Sequence, residues 1–289
     1  MASRREQKEA ARRAREQAVA QLKAEHARRS RLLMLGGVVA VVIAAVVVVI
    51  IISSSGAGTL KALTPSKLSN QAADGAGYSP KAAVADVKSL LDGIPQSGNT
   101  LGKPNAPVTI TEFGDLVCST CDAFALSSEP QLIQQEVRTG KVKLVFRADD
   151  TASGTANQSE WQATQVAASS AGLQDKEWYY VLLIYDEQPI TIGGQDAELV
   201  PYVSTSYLQN RAEQVPGLNL TKWQANLGNS TLIKQAQTDL SAAKVEAPRG
   251  TPTIIVTGPS GQSQTYDSTG KLSAVPTIAQ LKQLIAQVS

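Results

Sequence analysis

The chain predicts an α/β fold in which a small sheet is interrupted by a block of helices. Three observations carry this. Val108-Thr109-Ile110-Thr111-Glu112-Phe113 is β-branched, alternates, and ends in an aromatic, as a strand does. It leads through a helical pattern over about 119–139 to a second alternating strand, Lys141 to Phe146. From Thr151 the periodicity is helical for almost a hundred residues, and then strands return at Thr253–Val256 and Gln264–Asp267. A sheet of so few strands needs helices on both faces to bury its apolar side chains.

Taken in order, the chain opens with a basic tail. Residues 1–31 hold ten Lys and Arg against four Glu, while the remaining 17 basic and 21 acidic residues leave the rest near −4. Leu32 to Ile52 follows, 21 residues without a polar or charged side chain. At about 1.5 Å per helical residue this spans a bilayer core of about 30 Å. It is longer than the apolar core of a secretory signal, about 7–15 residues. The expectation is an uncleaved transmembrane helix, residues 32–52, with the basic tail cytoplasmic and the rest of the chain extracytoplasmic. The alternative is cleavage at Ser55-Gly56-Ala57, which is small enough to be cut. A topogenic role accounts for the tail's charge, so no nucleic-acid partner is expected. Residues 53–84, rich in Ser, Gly, Ala and Lys, read as a linker that holds a domain over 85–289 away from the membrane.

Within that domain Val84 to Leu91 reads as a short helix closed by Gly93 and Pro95, and Thr100-Leu101 as a brief edge strand. The helix at 119–139 takes Phe124, Leu126, Leu132, Ile133 and Val137 as its apolar positions. The helical block, about 151–247, divides into Trp161–Ala171, Asp175–Glu187, Glu198–Val215, Leu220–Leu227 and Thr231–Val245. Trp161, Trp178, Tyr179 and Tyr185 read as its core, not as a substrate groove. Gly258-Pro259-Ser260-Gly261 turns the last two strands into a hairpin. Thr277 to Val288 closes the chain with Ile278, Leu281, Leu284, Ile285 and Val288 as one stripe.

Cys118 and Cys121 are the only cysteines, three apart, where the first strand hands over to a helix N-terminus. Residues i and i+3 of a first turn are neighbours, close enough to close a disulfide. Free N–H groups at a helix start stabilise a thiolate. An inert disulfide is the competing reading, but so short a loop removes little denatured-state entropy. A zinc site is disfavoured, because the one histidine, His26, lies in the basic tail and four Cys/His ligands cannot be assembled within one chain. No metal and no cofactor are expected. Far downstream, Thr251-Pro252 precedes an apolar strand, at a position where proline is tolerated.

Glu112-Phe113, Asp115, Cys118 to Cys121, Phe124 and Thr251-Pro252, in that order, resemble the thioredoxin superfamily, and within it the DsbA-like thiol–disulfide oxidoreductases. The resemblance covers roughly residues 100–289. It implies a thioredoxin-like fold with an inserted helical block and a redox-active Cys118–Cys121 pair. Cys118 would be the exposed nucleophile and Cys121 the buried resolving thiol. Thr251-Pro252 would be the cis-proline segment that faces them. Glu112 matches the buried acid that exchanges a proton with Cys121, although it could also form a plain ion pair with Lys141 or Lys143. Asp115 reads as a turn residue or cap. Ser119-Thr120 departs from the Pro-His often found between such cysteines, so no imidazolium supports the thiolate and a less extreme potential is expected.

The function so implied is oxidation of exported, cysteine-containing proteins by a monomer. Re-oxidation would fall to a quinone-linked membrane partner of the DsbB or vitamin K epoxide reductase kind. An extracytoplasmic reductase or isomerase, or a non-catalytic binding module on the same fold, are the alternatives.

Overall fold

The computed structural model describes residues 80–154, 158–189, 191–267 and 275–289. The basic tail, the apolar segment Leu32–Ile52 and residues 53–79 lie outside them. No helix among the described residues is long and apolar enough to cross a membrane.

Helix α1 (Pro80–Leu91) starts four residues earlier than Val84, so the end of the expected linker is its first turn. Proline suits this position, since its missing N–H has no helical partner to lose. Ala83, Val87, Leu90 and Leu91 form its buried face. Arg138 binds the C-terminal end, donating to the carbonyls of Leu90 (2.7 Å) and Asp92 (2.8 Å). A two-strand turn follows, β1 (Gln96–Ser97) and β2 (Thr100–Leu101), with β2 antiparallel to β4 (Val142–Ala148). The expected edge strand Thr100-Leu101 is covered by β1, which is the edge itself.

Strand β3 (Val108–Gly114) lies at the centre, parallel to β4 on one side and antiparallel to β7 (Thr253–Thr257) on the other. Strand β8 (Ser263–Asp267) completes a six-stranded sheet of order β1-β2-β4-β3-β7-β8. Alternation along β3 divides the packing. Val108 and Ile110 belong to the main core, and Glu112 shares their parity. Phe113 points to the other face, where it meets Ala243 and Ala247, with the Arg147 guanidinium 4.8 Å from its ring.

The helix expected over 119–139 is broken. It consists of α2 (Ser119–Ser127), α3 (Glu129–Leu132) and a π-helical turn, Ile133–Val137. Pro130 has no N–H to give to the preceding turn, which is why the segment restarts at Glu129. The apolar spacing runs on across the break and conceals it.

The inserted block contains α4 (Gln158–Gly172), α5 (Glu177–Asp186), α6 (Thr205–Gln214), α7 (Leu220–Ala225) and α8 (Ser230–Glu246). Every residue of α5 is buried. Its ring tips are satisfied as burial requires: Trp178 Nε1 donates to the Asn99 carbonyl (3.0 Å) and Tyr180 Oη to that of Leu208 (2.9 Å). Trp161, Trp178, Tyr179 and Tyr185 are all buried, as a core reading requires. Helix α5 begins at Glu177 and not at Asp175, whose φ of 55° is left-handed.

The expected helix Glu198–Val215 is helical only over α6. Ala197–Leu199 is a single 3₁₀ turn, Pro201 interrupts, and Ser204 caps α6 by accepting the Tyr207 N–H. Before it lies an unpredicted hairpin, β5 (Thr191–Ile192) and β6 (Gln195–Asp196), turned by Gly193 and Gly194, both at positive φ. Helix α9 (Ile278–Val288) closes the fold behind a capping box of Thr277 and Gln280.

Candidate active site

The site is built where β3 ends. Asp115 Oδ1 accepts the Val117 N–H (3.0 Å), turning the chain out of the strand. The Cys118 N–H donates to the Asp115 carbonyl (3.0 Å), and the Cys118 carbonyl accepts the Asp122 N–H (3.0 Å). Cys118 is therefore the N-cap of α2, with extended φ and ψ of −80° and 121°. Cys121 lies one turn inside. Both are free thiols that hydrogen-bond each other.

The two sulfurs have opposite proton affinities. The Cys118 thiol is pushed below its ordinary range, chiefly by the hydrogen bond from Cys121, with Thr251 assisting against the cost of burial. Burial pushes the Cys121 thiol well up, and the neighbouring Cys118 and Glu112 push it further. A low-affinity thiol beside a high-affinity one is the division that exchange chemistry needs, one sulfur to stay ionised and one to take a proton.

Cys118 is more accessible than Cys121, but only 6% against 0%, so the expectation of an exposed nucleophile is corrected. Two segments close over it. The Thr251 carbonyl lies 3.8 Å from Cys118 Sγ, and Glu198 accepts the neighbouring Ser119 N–H at 2.5 Å. The Thr251–Pro252 peptide bond is cis, and both residues are buried at the site.

Glu112 is 3% exposed, next to Cys121, with burial raising its carboxyl to about 7. It makes no ion pair with the lysines. Lys141 pairs with Glu136 (3.4 Å), and Lys143 donates to the Pro104 carbonyl (3.0 Å). Its partner is instead a second buried acid, Glu129, whose carboxyl is pushed well up by burial and by Glu112. Asp115 is wholly buried and does more than turn the chain. Its Oδ2 accepts from the Ala152 N–H (2.8 Å), the Ser153 N–H (2.7 Å) and Ser153 Oγ (2.8 Å). Among the described residues, no group of His, Cys, Asp and Glu is placed to hold a metal ion.

Residues 96–272 match the protein family described as Thioredoxin. The chain belongs to the thioredoxin family. Relatives among characterised proteins are the probable disulfide bond formation protein D of Bacillus anthracis and the disulfide bond formation protein D of Bacillus subtilis strain 168. The first is 26% identical over 160 residues, 55% of this chain and 69% of the relative. The second is 25% identical over 162 residues, 54% and 66%. The crystal structure of oxidised BdbD from Bacillus subtilis superposes with a TM-score of 0.51 at 21% identity, covering 67% of this chain and 95% of that one. The fold is the thioredoxin-like α/β fold of DsbA type, and the chain is a protein-disulfide oxidoreductase.

Thioredoxin-family sequence patterns lead to Cys118, Cys121, Glu112, Thr251 and Pro252, and the fold brings these together. They do not lead to Glu129, Glu198 or Thr151. The Thr151 hydroxyl is hydrogen-bonded to that of Thr251, tying the cis-proline segment to the start of the insertion. Gln188 Nε2 donates to the Val117 carbonyl (2.7 Å) and fixes the turn from the insertion side.

Proposed function

We propose that this chain is a dithiol oxidase that introduces disulfides into exported proteins through Cys118 and Cys121. The observation that carries the reading is the placement of the two free cysteines. Cys118 caps α2 with its sulfur 3.8 Å from the Thr251 carbonyl, while Cys121 is buried one turn inside, a placement that also opposes their proton affinities. In the oxidising direction a substrate thiolate attacks Cys118 Sγ of the enzyme disulfide, the Cys118–Cys121 bond breaks, and Cys121 leaves with the electron pair. Cys121 takes up a proton, with Glu112 as its donor. The substrate's second thiolate then attacks the substrate sulfur of the mixed disulfide. Cys118 leaves as the stabilised thiolate, and two electrons have passed to the enzyme.

An extended substrate would pair its backbone with Thr251, beside Pro252, which brings no N–H of its own. The apolar segment 32–52 would anchor a monomer whose catalytic domain is extracytoplasmic, where disulfides persist. A quinone-linked membrane partner of the DsbB or vitamin K epoxide reductase kind would withdraw the two electrons. The relatives named for disulfide bond formation support the oxidising direction.

The test is the reduction potential of the Cys118–Cys121 pair against glutathione. A value of about −120 to −200 mV supports the oxidase. A value near about −270 mV or below would place the protein with reductants and redirect the search toward an electron donor.

A further inference from the structure

Glu198 reaches the active helix from 79 residues away. It stands in the 3₁₀ turn Ala197–Leu199, whose first N–H groups are themselves capped: Asp196 Oδ1 accepts the Glu198 N–H at 3.0 Å. Ala197 is buried, so the turn is seated on the domain and not merely laid across it. From there Glu198 Oε1 accepts the Ser119 N–H at 2.5 Å.

Ser119 is the first residue of α2, and Cys118 caps that helix without a side-chain hydrogen bond of its own. The N–H groups of a first turn have no partner inside the helix. They are the donors on which a Cys118 thiolate draws. A carboxylate in that place is favourable for the helix, whose N-terminus is the positive end. For the sulfur it is the reverse, since a fixed anion stands beside an atom that must become one. The groups acting on Cys118 divide accordingly. Cys121 and Thr251 favour the thiolate through hydrogen bonds, while Glu198 opposes it through its charge.

We propose that Glu198 is a positioning residue that caps the active helix with a negative charge and so restrains the oxidising power of the Cys118–Cys121 pair. The inference rests on the redox reading of that pair. It assigns to the insertion a part in setting the potential: the block does not only cover the site, it supplies a charge to it. Because Glu198 is half-buried, water screens part of the effect, and a modest change is expected.

The experiment compares the full-length chain in detergent with E198Q, which keeps an acceptor and loses the charge, and E198A, which also frees the Ser119 N–H. Cys118 ionisation is followed by thiolate ultraviolet absorbance, and the redox equilibrium against glutathione. E198Q is expected to ionise Cys118 at lower pH and to shift the equilibrium about threefold to tenfold toward the reduced enzyme. Tenfold is about 30 mV for this two-electron couple. E198A should shift it at least as far.

Both variants titrating and equilibrating like the parent would overturn the proposal, whatever happens to their thermal stability. So would an effect of E198A without one of E198Q, because the charge is what is assigned. Failure of the parent protein to exchange with glutathione would strike the redox reading itself. The parent-to-variant difference in Cys118 ionisation would still decide the part played by Glu198.

Discussion

Glu112 and Glu129 bring two buried carboxyls together beside Cys121, each acting on the other's proton affinity, one from the central strand and one from the restart of the broken helix. Two carboxyls so placed cannot both ionise, and the pair holds a proton into the neutral range. Glu112, with an ordinary value of 4.5, is raised to about 7 in the fold. The folded state therefore binds this proton more tightly than the unfolded one. Its contribution to stability is complete below about 4.5 and is lost as pH rises through about 7.

The E112Q variant should accordingly be more stable than the parent at pH 8, by about 3 kcal/mol at most, and level with it near pH 4. Urea unfolding at both values measures this. The same variant should slow the step in which Cys121 departs from the disulfide, because its proton donor is gone. An E112Q protein with the parent's pH slope would remove Glu112 as the titrating group.

The cysteines differ in role, so their serine variants should differ in kind. C118S should show no disulfide exchange. C121S should accumulate mixed disulfides on Cys118, since no resolving thiol remains. In the reduced parent, Cys118 should be alkylated well below the pH of an ordinary thiol, about 8.5, while Cys121 stays protected by burial and proton affinity. Mass spectrometry after alkylation across pH separates the two.

Asp115 accepts from four donors on two segments, and D115A removes the acceptor of all four bonds. Buried unsatisfied donors cost about 1–3 kcal/mol each before relaxation and water entry. A loss of at least about 3 kcal/mol is expected, with a change in Cys118 reactivity as the turn loosens. D115N, which keeps the acceptor oxygen, should lose less. Equal losses would show that the acceptor geometry is not what matters.

Thr120 is half-buried one residue inside the active helix and carries no charge. A histidine there can bring an imidazolium to the Cys118 thiolate, and opposite charges lower the cost of ionisation. T120H should shift the glutathione equilibrium toward the reduced enzyme by about tenfold or more, with the shift shrinking above the histidine's own titration.

Gly258 follows the last residue of β7, with the Val288 carbonyl packed where a Cβ would stand. G258A should displace the end of α9 and cost about 1–3 kcal/mol, read by thermal unfolding, without altering Cys118 ionisation. A change in that ionisation would mean that α9 reaches the site through the sheet.

What could be read from the chain was what local chemistry dictates. Strand β3 shows itself through β-branched alternation, the cysteines through spacing, and Pro252 through the strand that follows it. The block's core aromatics show themselves through helical spacing. Glu129 was illegible because a carboxylate in a helical stretch is ordinarily a solvated surface residue. Only tertiary packing, with α3 set against α9 and the Glu112 carboxyl close by, buries it. Glu198 was illegible for a different reason: its partner is a backbone N–H, which no residue type announces, supplied by a helix from elsewhere in the chain. The break at Ser128 was hidden by apolar residues that keep their spacing through it. Pro130 was the available signal. The hairpin before Ala197 had one too, the Gly193-Gly194 pair between short apolar and polar runs.

Asp115 grips residues 152 and 153, and Thr151 grips Thr251, so the first few residues of the insertion knit together two loops that are otherwise remote. For protein engineering this makes the insertion a poor candidate for wholesale excision. A minimised domain that joined β4 directly to β7 could rebuild the sheet and still misplace both reactive loops. A trimmed version should keep 149–153 intact and make its deletions among the outer helices instead.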